Sequence, residues 1–450
     1  MKLDLPRETA LKVLYEINKS GAYSNIALNK YLEGGELSNL DKAFITELVY
    51  GTLKWRLSID HIIDQFSSVK IKKLSPWILN ILRLGVYQLV YMSKIPESAA
   101  CNESVNLAKR YGHSASSRYV NAVLRNVARS GEKIAYPDRS KDLTAYLSVK
   151  YSHPEWMVKN WLERFGESFT EEFLKSNNEA APLTVRINTL KTDKEGLANA
   201  LKNEGFETMP AKHIDSALTI DNPSSLAKME AFVKGLFQVQ DESSMMVGKV
   251  LDPKPGEFVV DVCSAPGGKA THIAEIMENR GQVVARDIHE HKIRLINEAA
   301  RRLGIDIIET EVFDASEQDT KLIGKADRVL VDAPCTGLGI IRRKPDIKWT
   351  RTINDLNEIV KLQKKILSVS SKYVKPGGVL VYSTCTIEPQ ENEELVKEFL
   401  KDNEDYSLED ISELIPDGLA KDTAKGGYIQ LYPNIDGIDG FFISRMRRRS

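Results

Sequence analysis

The sequence predicts three successive architectures: an all-helical first third, a small α+β segment, and a doubly wound parallel α/β domain. Up to about residue 145, apolar residues recur at three- and four-residue spacing, the signature of amphipathic helices. From about residue 236, short β-branched runs alternate with helical stretches, which implies a parallel sheet. Between them, strand and helix patterns mix. The expected divisions are 1–145, 146–235 and 236–450.

In the first segment, "RETALKVLYEI" and "LDKAFITELVYGTLKWRLSIDHIIDQF" read as helices. "ILNILRLGVYQLVYM" (78–92) is the most apolar; Arg83 interrupts it and it is too short to span a bilayer, so it reads as the buried helix of a bundle. "SVNLAKRYG" and "SSRYVNAVLRNVARS" follow and gather Lys109, Arg110, Arg118, Arg125 and Arg129. "IAYPDRS" reads as a linker. The middle segment offers helical "PEWMVKNWLERFG", a strand in "LTVRINTL", helical "DKEGLANALKNEG" and a short strand "ALTI". In the last segment the strand candidates are "FVVDVC" (258–263), "QVVARD" (282–287), "IIETEVFD" (307–314), "DRVLVDAP" (327–334) and "GGVLVYST" (377–384). "GGYIQLYP" and "DGFFISRMRRR" read as a closing pair of strands with a basic tail, to which no role is given.

The N-terminus has charges spaced through it and no apolar signal core, so a cytoplasmic protein away from membranes is expected. The four cysteines, at 101, 263, 335 and 385, form no CxxC pair, which argues against a disulfide framework and against a metal site. The net charge of −1 hides an asymmetry: residues 1–150 hold 22 Lys and Arg against 14 Asp and Glu, and the rest is acidic. A basic first third suits a polyanion, although a solvated helix face explains the same charge.

The first strand of the α/β domain ends in "VDVCSAPGGKATH", where such sheets bind ligands. The loop is neither a GxGxxG dinucleotide fingerprint nor a phosphate-binding P-loop, because Cys263 stands where the P-loop's first Gly belongs and Ala270 follows Lys269. Acidic residues close the successive strands: Asp261, Asp287, Asp314 and Asp332. Singly, each reads as a helix N-cap. Together they repel phosphate-rich nucleotides and suit S-adenosylmethionine, with its sulfonium, ammonium, ribose hydroxyls and adenine amine. Asp287 stands about 20 residues past the glycine loop, where a ribose-binding acid is expected.

"DAPCTG" and "YSTCT" place Cys335 and Cys385 at the ends of two successive strands, facing the cofactor crevice. Most unpaired cysteines are buried filler, but polar neighbours surround these two. Methylation at C5 of a pyrimidine uses two such thiols. That carbon attacks a sulfonium only after a thiolate adds to C6, and the adduct must afterwards collapse. Asp332 or Lys269 would supply the acid near N3. On residues alone, the two cysteines are interchangeable.

"DVCSAPGGKATH", "DAPCTGLGIIRRKPDIKW" and "YSTCTIEPQENE", with "GLFQVQDESS" before them and "DGFFI" after, closely resemble the RNA cytosine-5 methyltransferases. The helical segment, with "RYVNAVLRNVAR", resembles the antitermination-factor NusB fold. The combination resembles the bacterial small-subunit ribosomal RNA methyltransferase B (Sun/Fmu) family over essentially the whole chain. The resemblance implies a NusB-like RNA-binding domain, an α+β RNA-binding subdomain, and a Rossmann-like class I methyltransferase domain. It implies S-adenosylmethionine held by Cys263, Ser264, Ala265, Pro266, Gly267, Gly268 and Lys269, with Asp287 on the ribose, Asp314 near the adenine and Asp332 near the methionine end. It gives attack on C6 to Cys385 and release to Cys335; cytosine-5 DNA methyltransferases attack from a Pro-Cys motif, which would choose Cys335. Ser264 stands where the family more often has Ala, and Asn434 and Ile435 replace a commoner His-containing loop.

The implied substrate is 16S ribosomal RNA, free or in an early assembly intermediate, methylated at the family's cytosine 967 by a monomeric enzyme. The target base must leave its stack. Arg342 and Arg343, followed by Lys344, are expected on neighbouring phosphates, and Arg186 and Asn188 on an RNA-facing strand. A vestigial transferase serving as an assembly or antitermination binding protein is a weaker alternative, against which the intact motifs argue.

Overall fold

The computed structural model describes residues 3–33, 37–131, 134–221 and 226–450. The chain forms two compact units, Met1–Glu179 with Ile341–Thr350, and Ala180–Ile340 with Arg351–Ser450.

The first unit is helical: α1 (Leu5–Ser20), α2 (Ser24–Leu32), α3 (Asn39–Lys54), α4 (Arg56–Phe66), α5 (Pro76–Tyr91), α6 (Glu97–Tyr111), α7 (Ser114–Ser130), α8 (Leu143–Tyr151) and α9 (Glu155–Ser176). Asp4 caps α1 by accepting from the Arg7 N–H, and Ser38 and Asp41 close a capping box on α3. The amphipathic run from residue 40 to 66 forms two helices parted at Trp55, and the Leu57 N–H donates to Ser152 Oγ at 3.0 Å. Arg83, the charge inside the apolar helix, is buried and donates twice to Asp60, at 2.7 Å each. Gly51 lets α3 pass close to α5, since a Cβ there would sit 2.0 Å from the Tyr87 ring. α8 packs against α4, and the compact helical unit runs on through α9 to Glu179. α9 bends at Gly166, whose φ is +77°.

The ten-residue segment Ile341–Thr350 is built into this helical unit and ends in α10 (Ile347–Thr350). Trp349 Nε1 donates to Leu53 O at 2.7 Å, Lys348 Nζ to Lys54 O at 2.7 Å, and the Ser24 N–H to Asp346 at 3.2 Å. Burial pushes the Lys348 ammonium well below the usual lysine range.

The second unit holds two sheets. β1 (Leu183–Ile187), β2 (Thr208–Pro210), β3 (Ala217–Ile220) and β4 (Phe237–Val239) form an antiparallel sheet in the order β2-β3-β1-β4. The larger sheet contains the parallel strands β5 (Phe258–Asp261), β6 (Gln282–Asp287), β7 (Ile308–Val312), β8 (Ala326–Asp332) and β9 (Val374–Thr384). The antiparallel β10 (Tyr406–Leu408), β11 (Tyr428–Leu431) and β12 (Phe441–Arg448) complete it. Its order is β10-β12-β9-β8-β5-β6-β7, with β11 on β12. Both neighbours of β5 come later in the chain, one from each winding direction, so the crevice opens at the carboxyl ends of β5 and β8. All five expected parallel strands are present within a few residues of their predicted limits. The basic tail is part of β12: Arg445 is buried, donating to Glu409 and to the carbonyls of Val250 and Leu251. No helix among the described residues is long and apolar enough to cross a membrane.

Candidate active site

A cavity of about 460 Å³ opens at the carboxyl ends of β5 to β9. Val262, Cys263 and Ala265 line it from the β5 loop, Asp287 and Ile288 from β6, Phe313 and Asp314 from beyond β7, and Asp332, Cys335 and Cys385 from β8 and β9. Leu362 and Ile366 close one side from the helix Ile353–Ser371. The strand pattern brings these residues together because every crossover returns its ligand-facing loop to the same rim.

The loop after β5 is tied down by Ser264. Its N–H donates to Arg286 O at 2.7 Å, its hydroxyl donates to Asp261 O at 2.8 Å, and that hydroxyl accepts from the Arg286 N–H at 3.1 Å. Gly267 has a φ of +100°, and a Cβ there would meet the backbone of Ile296 at 3.1 Å. Its glycine serves the turn and the packing of a following helix. Pro266 is exposed, while Gly268 opens the helix Gly268–Ile276. Thus Cys263 and Ala265 face the cavity, and Ser264, Gly267 and Gly268 shape the loop behind it.

Asp287 is almost fully buried and accepts from the His289 N–H at 3.0 Å and from Lys292 Nζ at 3.4 Å. Asp314 accepts from the Ser316 N–H at 2.8 Å, and the hydrogen bonds from Ser316 hold its carboxyl below the usual range. Lys269 does not line the cavity wall; its Nζ donates to Asp332 Oδ2 at 2.8 Å and lies 5.1 Å from the centre of the Phe441 ring. Ser383 Oγ donates to the other Asp332 oxygen at 2.8 Å. Burial disfavours the Lys269 ammonium, but Asp332 outweighs it and the group stays above the usual lysine range, with the Cys385 sulfur adding to the effect. Asp261 is fully buried, and its Oδ2 accepts no hydrogen bond among the described residues. Burial first, and then the charge of Asp332, push its carboxyl up to about 7.

Cys335 and Cys385 are half-buried, with their sulfurs 3.1 Å apart. The contact with Cys385 and then burial push the Cys335 thiol well above the usual range. Behind the pair lies a buried polar network that sequence reasoning missed. Thr336 and Thr386, each following a cysteine, pair their hydroxyls at 2.8 Å. Glu391, fully buried, accepts from the Thr336 hydroxyl, from the Thr336 N–H at 2.9 Å and from Gln363 Nε2 at 2.9 Å. Asn392 accepts from the Thr384 hydroxyl at 2.6 Å and donates to Thr386 O at 3.1 Å. The repeated Cys-Thr dipeptide and the "ENE" of the second motif were the available signals.

The expected RNA-facing residues fare differently. Arg186 is 1% exposed: it pairs with Glu275 at 2.8 Å and donates to Gly268 O at 2.8 Å, Thr271 Oγ1 at 3.1 Å and the Gln240 side-chain oxygen. Asn188 is fully buried and donates to the carbonyls of Gly235 and Leu303. Both therefore brace the small sheet against the loop after β5 and its neighbouring helices, and at this burial neither is placed to meet RNA. A β-strand's alternation gave each of them one face, but only packing decided that this face points inward. Arg342 is 8% exposed and Arg343 half-buried, so burial argues against the phosphate contact expected of Arg342. Among the described residues no group of three or more His, Cys, Asp or Glu could hold a metal ion.

The residues lining the cavity suit S-adenosylmethionine in charge and polarity. Carboxylates at three strand ends suit hydroxyls, an amine and cationic groups, and Ile288, Phe313, Leu362 and Ile366 offer apolar walls for a flat base.

Comparison with known proteins agrees with this architecture. The family model of 16S rRNA methyltransferase RsmB/F matches residues 248–447, that of the NusB family residues 4–129, and that of the RsmF/B-like ferredoxin-like domain residues 153–227. The probable ribosomal RNA small subunit methyltransferase B of Bacillus subtilis is 39% identical, with 100% of both chains covered. The ribosomal RNA small subunit methyltransferase B of Pectobacterium carotovorum is 32% identical, with 98% of each chain covered. The crystal structure of PH0851 matches with a TM-score of 0.82 and 27% identity over 100% of each chain. A helical NusB domain, a ferredoxin-like subdomain and an α/β methyltransferase domain thus follow one another along a chain that belongs to the ribosomal RNA small subunit methyltransferase B family.

Proposed function

We propose that the protein methylates C5 of a cytosine in 16S ribosomal RNA, the family's cytosine 967, using S-adenosylmethionine, with Cys385 as the nucleophile and Cys335 assisting release. The observation that supports this most is the pair of sulfurs, 3.1 Å apart, on the wall of a cavity whose other walls hold Asp287 and Asp314. Two thiols at one rim suit a reaction that needs both addition and elimination. The bound cofactor supplies an electrophilic methyl group.

The Cys385 thiolate adds to C6, and the ring electrons displaced through C4 take a proton at N3 from the Lys269–Asp332 pair. C5, now electron-rich, takes the methyl group and then loses its proton to water. The C6–S bond breaks with its electrons on the Cys385 sulfur, the C5–C6 double bond re-forms, and the N3 proton returns to the Lys269–Asp332 pair. The Cys385 sulfur helps to hold the Lys269 ammonium above the usual lysine range, which puts a cation within electrostatic reach of the proposed nucleophile. Cys263, Ala265, Asp287 and Asp314, which line the cavity, would hold the cofactor.

The basic surface of α6 and α7 exposes Lys109, Arg110, Arg118, Arg125 and Arg129, suited to RNA phosphates. Arg343, half-buried, and Lys344, exposed, are candidates for RNA phosphates. The substrate is free 16S RNA or an early small-subunit intermediate, and the enzyme acts as a monomer. The test is methyl transfer to a 16S transcript by Cys385→Ala and Cys335→Ala. Loss in the first and a denaturant-resistant protein–RNA adduct in the second support the assignment, and the reverse pattern sinks it.

A further inference from the structure

We infer that Ser383 is a positioning residue that fixes the Asp332 carboxylate against Lys269 and thereby sets the rate at which the thiol adds to the cytosine ring. This deepens the reading above and rests on the roles proposed there for Asp332, Lys269 and Cys385.

Asp332 is held from both sides. Ser383 Oγ donates to its Oδ1 and Lys269 Nζ to its Oδ2, each at 2.8 Å. The torsion that turns a carboxylate about its Cβ–Cγ bond has only broad preferences, so a lone ion pair leaves it loose. One donor on each oxygen fixes its plane. The sheet places the serine: β8 and β9 pair in parallel with Asp332 opposite Ser383, and the Ala333 N–H donates to Ser383 O at 2.9 Å. Lys269 in turn is flanked by Ser244 Oγ at 3.5 Å, from the helix Glu242–Leu251, and by the Phe441 ring.

Ser383 is fully buried and is not among the cavity-lining residues, whereas Asp332 and Cys385 are. Val379, Leu380 and Val381 fill the buried stretch of β9 before it, so packing alone does not call for a hydroxyl at 383. A buried hydroxyl has to be hydrogen-bonded, and this one is directed at the carboxylate. As the Cys385 sulfur bonds to C6, the displaced ring electrons take a proton at N3 from the Lys269–Asp332 pair. That pair must meet N3 within a narrow range of geometry, and a carboxylate free to swing would carry its ion-pair partner out of line.

The test uses the full-length enzyme, saturating S-adenosylmethionine and a 16S transcript made with 5-fluorocytidine. Fluorine at C5 cannot leave as a proton, so the adduct accumulates and its rate of formation is read on denaturing gels. Ser383→Ala is expected to slow that rate about tenfold, the scale of one hydrogen bond to a charged group, with the RNA concentration at half-saturation unchanged. Ser383→Thr, which keeps the hydroxyl, is expected to retain most of the rate. In an Asp332→Ala background, where no carboxylate remains to be held, adding Ser383→Ala is expected to change nothing. A hydroxyl that served only the fold would lower the fraction of enzyme that reacts, seen in the amplitude, and leave the rate constant as it was.

An unchanged rate constant in Ser383→Ala overturns the proposal, and so does a loss of the same size in the Asp332→Ala background. If Ser383→Ala fails to fold, the shape-matched Ser383→Val and Ser383→Thr carry the same comparison, with the valine variant about tenfold slower. Failure of the underlying reading looks different: the wild type would form no adduct, or Cys385→Ala would form one, whatever stands at position 383, and that overturns both.

Discussion

The sulfurs of Cys335 and Cys385 stand 3.1 Å apart although 50 residues separate them in sequence. Parallel pairing of β8 with β9 produces this proximity: Asp332 lies opposite Ser383, and the chain continues from each for two or three residues to a cysteine. The thiols are therefore placed by strand register, and a shift of register would part them.

Cys385→Ala is expected to lower methyl transfer on the order of 10³-fold or more, because the unaided ring carbon is too weak a nucleophile. Cys335→Ala should still form the adduct and fail to release it. Denaturing gel electrophoresis of each variant with labelled transcript and S-adenosylmethionine separates the two outcomes; a Cys335→Ala enzyme that turns over at the native rate removes Cys335 from the mechanism.

Lys269 and Asp332 act as one unit across 2.8 Å, so their substitutions should not add. Asp332→Asn and Lys269→Met should each slow adduct formation by about 10²-fold or more, the usual scale for general acid assistance. The double variant should be little slower than either. Additive losses in pre-steady-state adduct formation would show that the two residues serve separate steps.

Asp261 predicts a pH signature in the unliganded protein. Its folded carboxyl titrates at about 7, above the unfolded value, so stability is greatest below the unfolded value and falls as pH rises toward 7. Above pH 7 both states are ionised and the loss levels off. Asp261→Asn removes the penalty, so its stability advantage over wild type should grow between about pH 4 and 7 to about 4 kcal/mol, an order-of-magnitude figure. Denaturant unfolding across that range checks this, and an advantage independent of pH contradicts it.

Arg186 should behave as a brace. Arg186→Met leaves Glu275 buried without its partner and should cost about 3–5 kcal/mol of stability. Thermal unfolding without RNA provides the measurement. A phosphate-binding arginine would give the opposite pattern, unchanged stability with weaker and less salt-dependent RNA binding.

By itself the sequence determined the helical first third, the five parallel strands and the rim on which the acids and both thiols lie. Each of these follows from local periodicity and from the rule that crossovers return to the same side of a sheet. The three-residue strands β2, β4 and β10 were invisible, because three residues are too few to establish a period of two. Arg186 and Asn188 were misread for a related reason: an alternating strand has two faces, and nothing local says which one a second layer of structure covers. The apolar spacing did not mark the break at Trp55, where the Leu57 N–H is taken up by a serine 97 positions beyond Trp55. Only the tertiary structure made the two thiols unequal. Their dipeptides are both Cys-Thr, but Glu391 accepts from the Thr336 N–H beside Cys335 while Asn392 donates to Thr386 O beside Cys385, and which partner reaches which strand end depends on distance through space, which sequence separation does not encode.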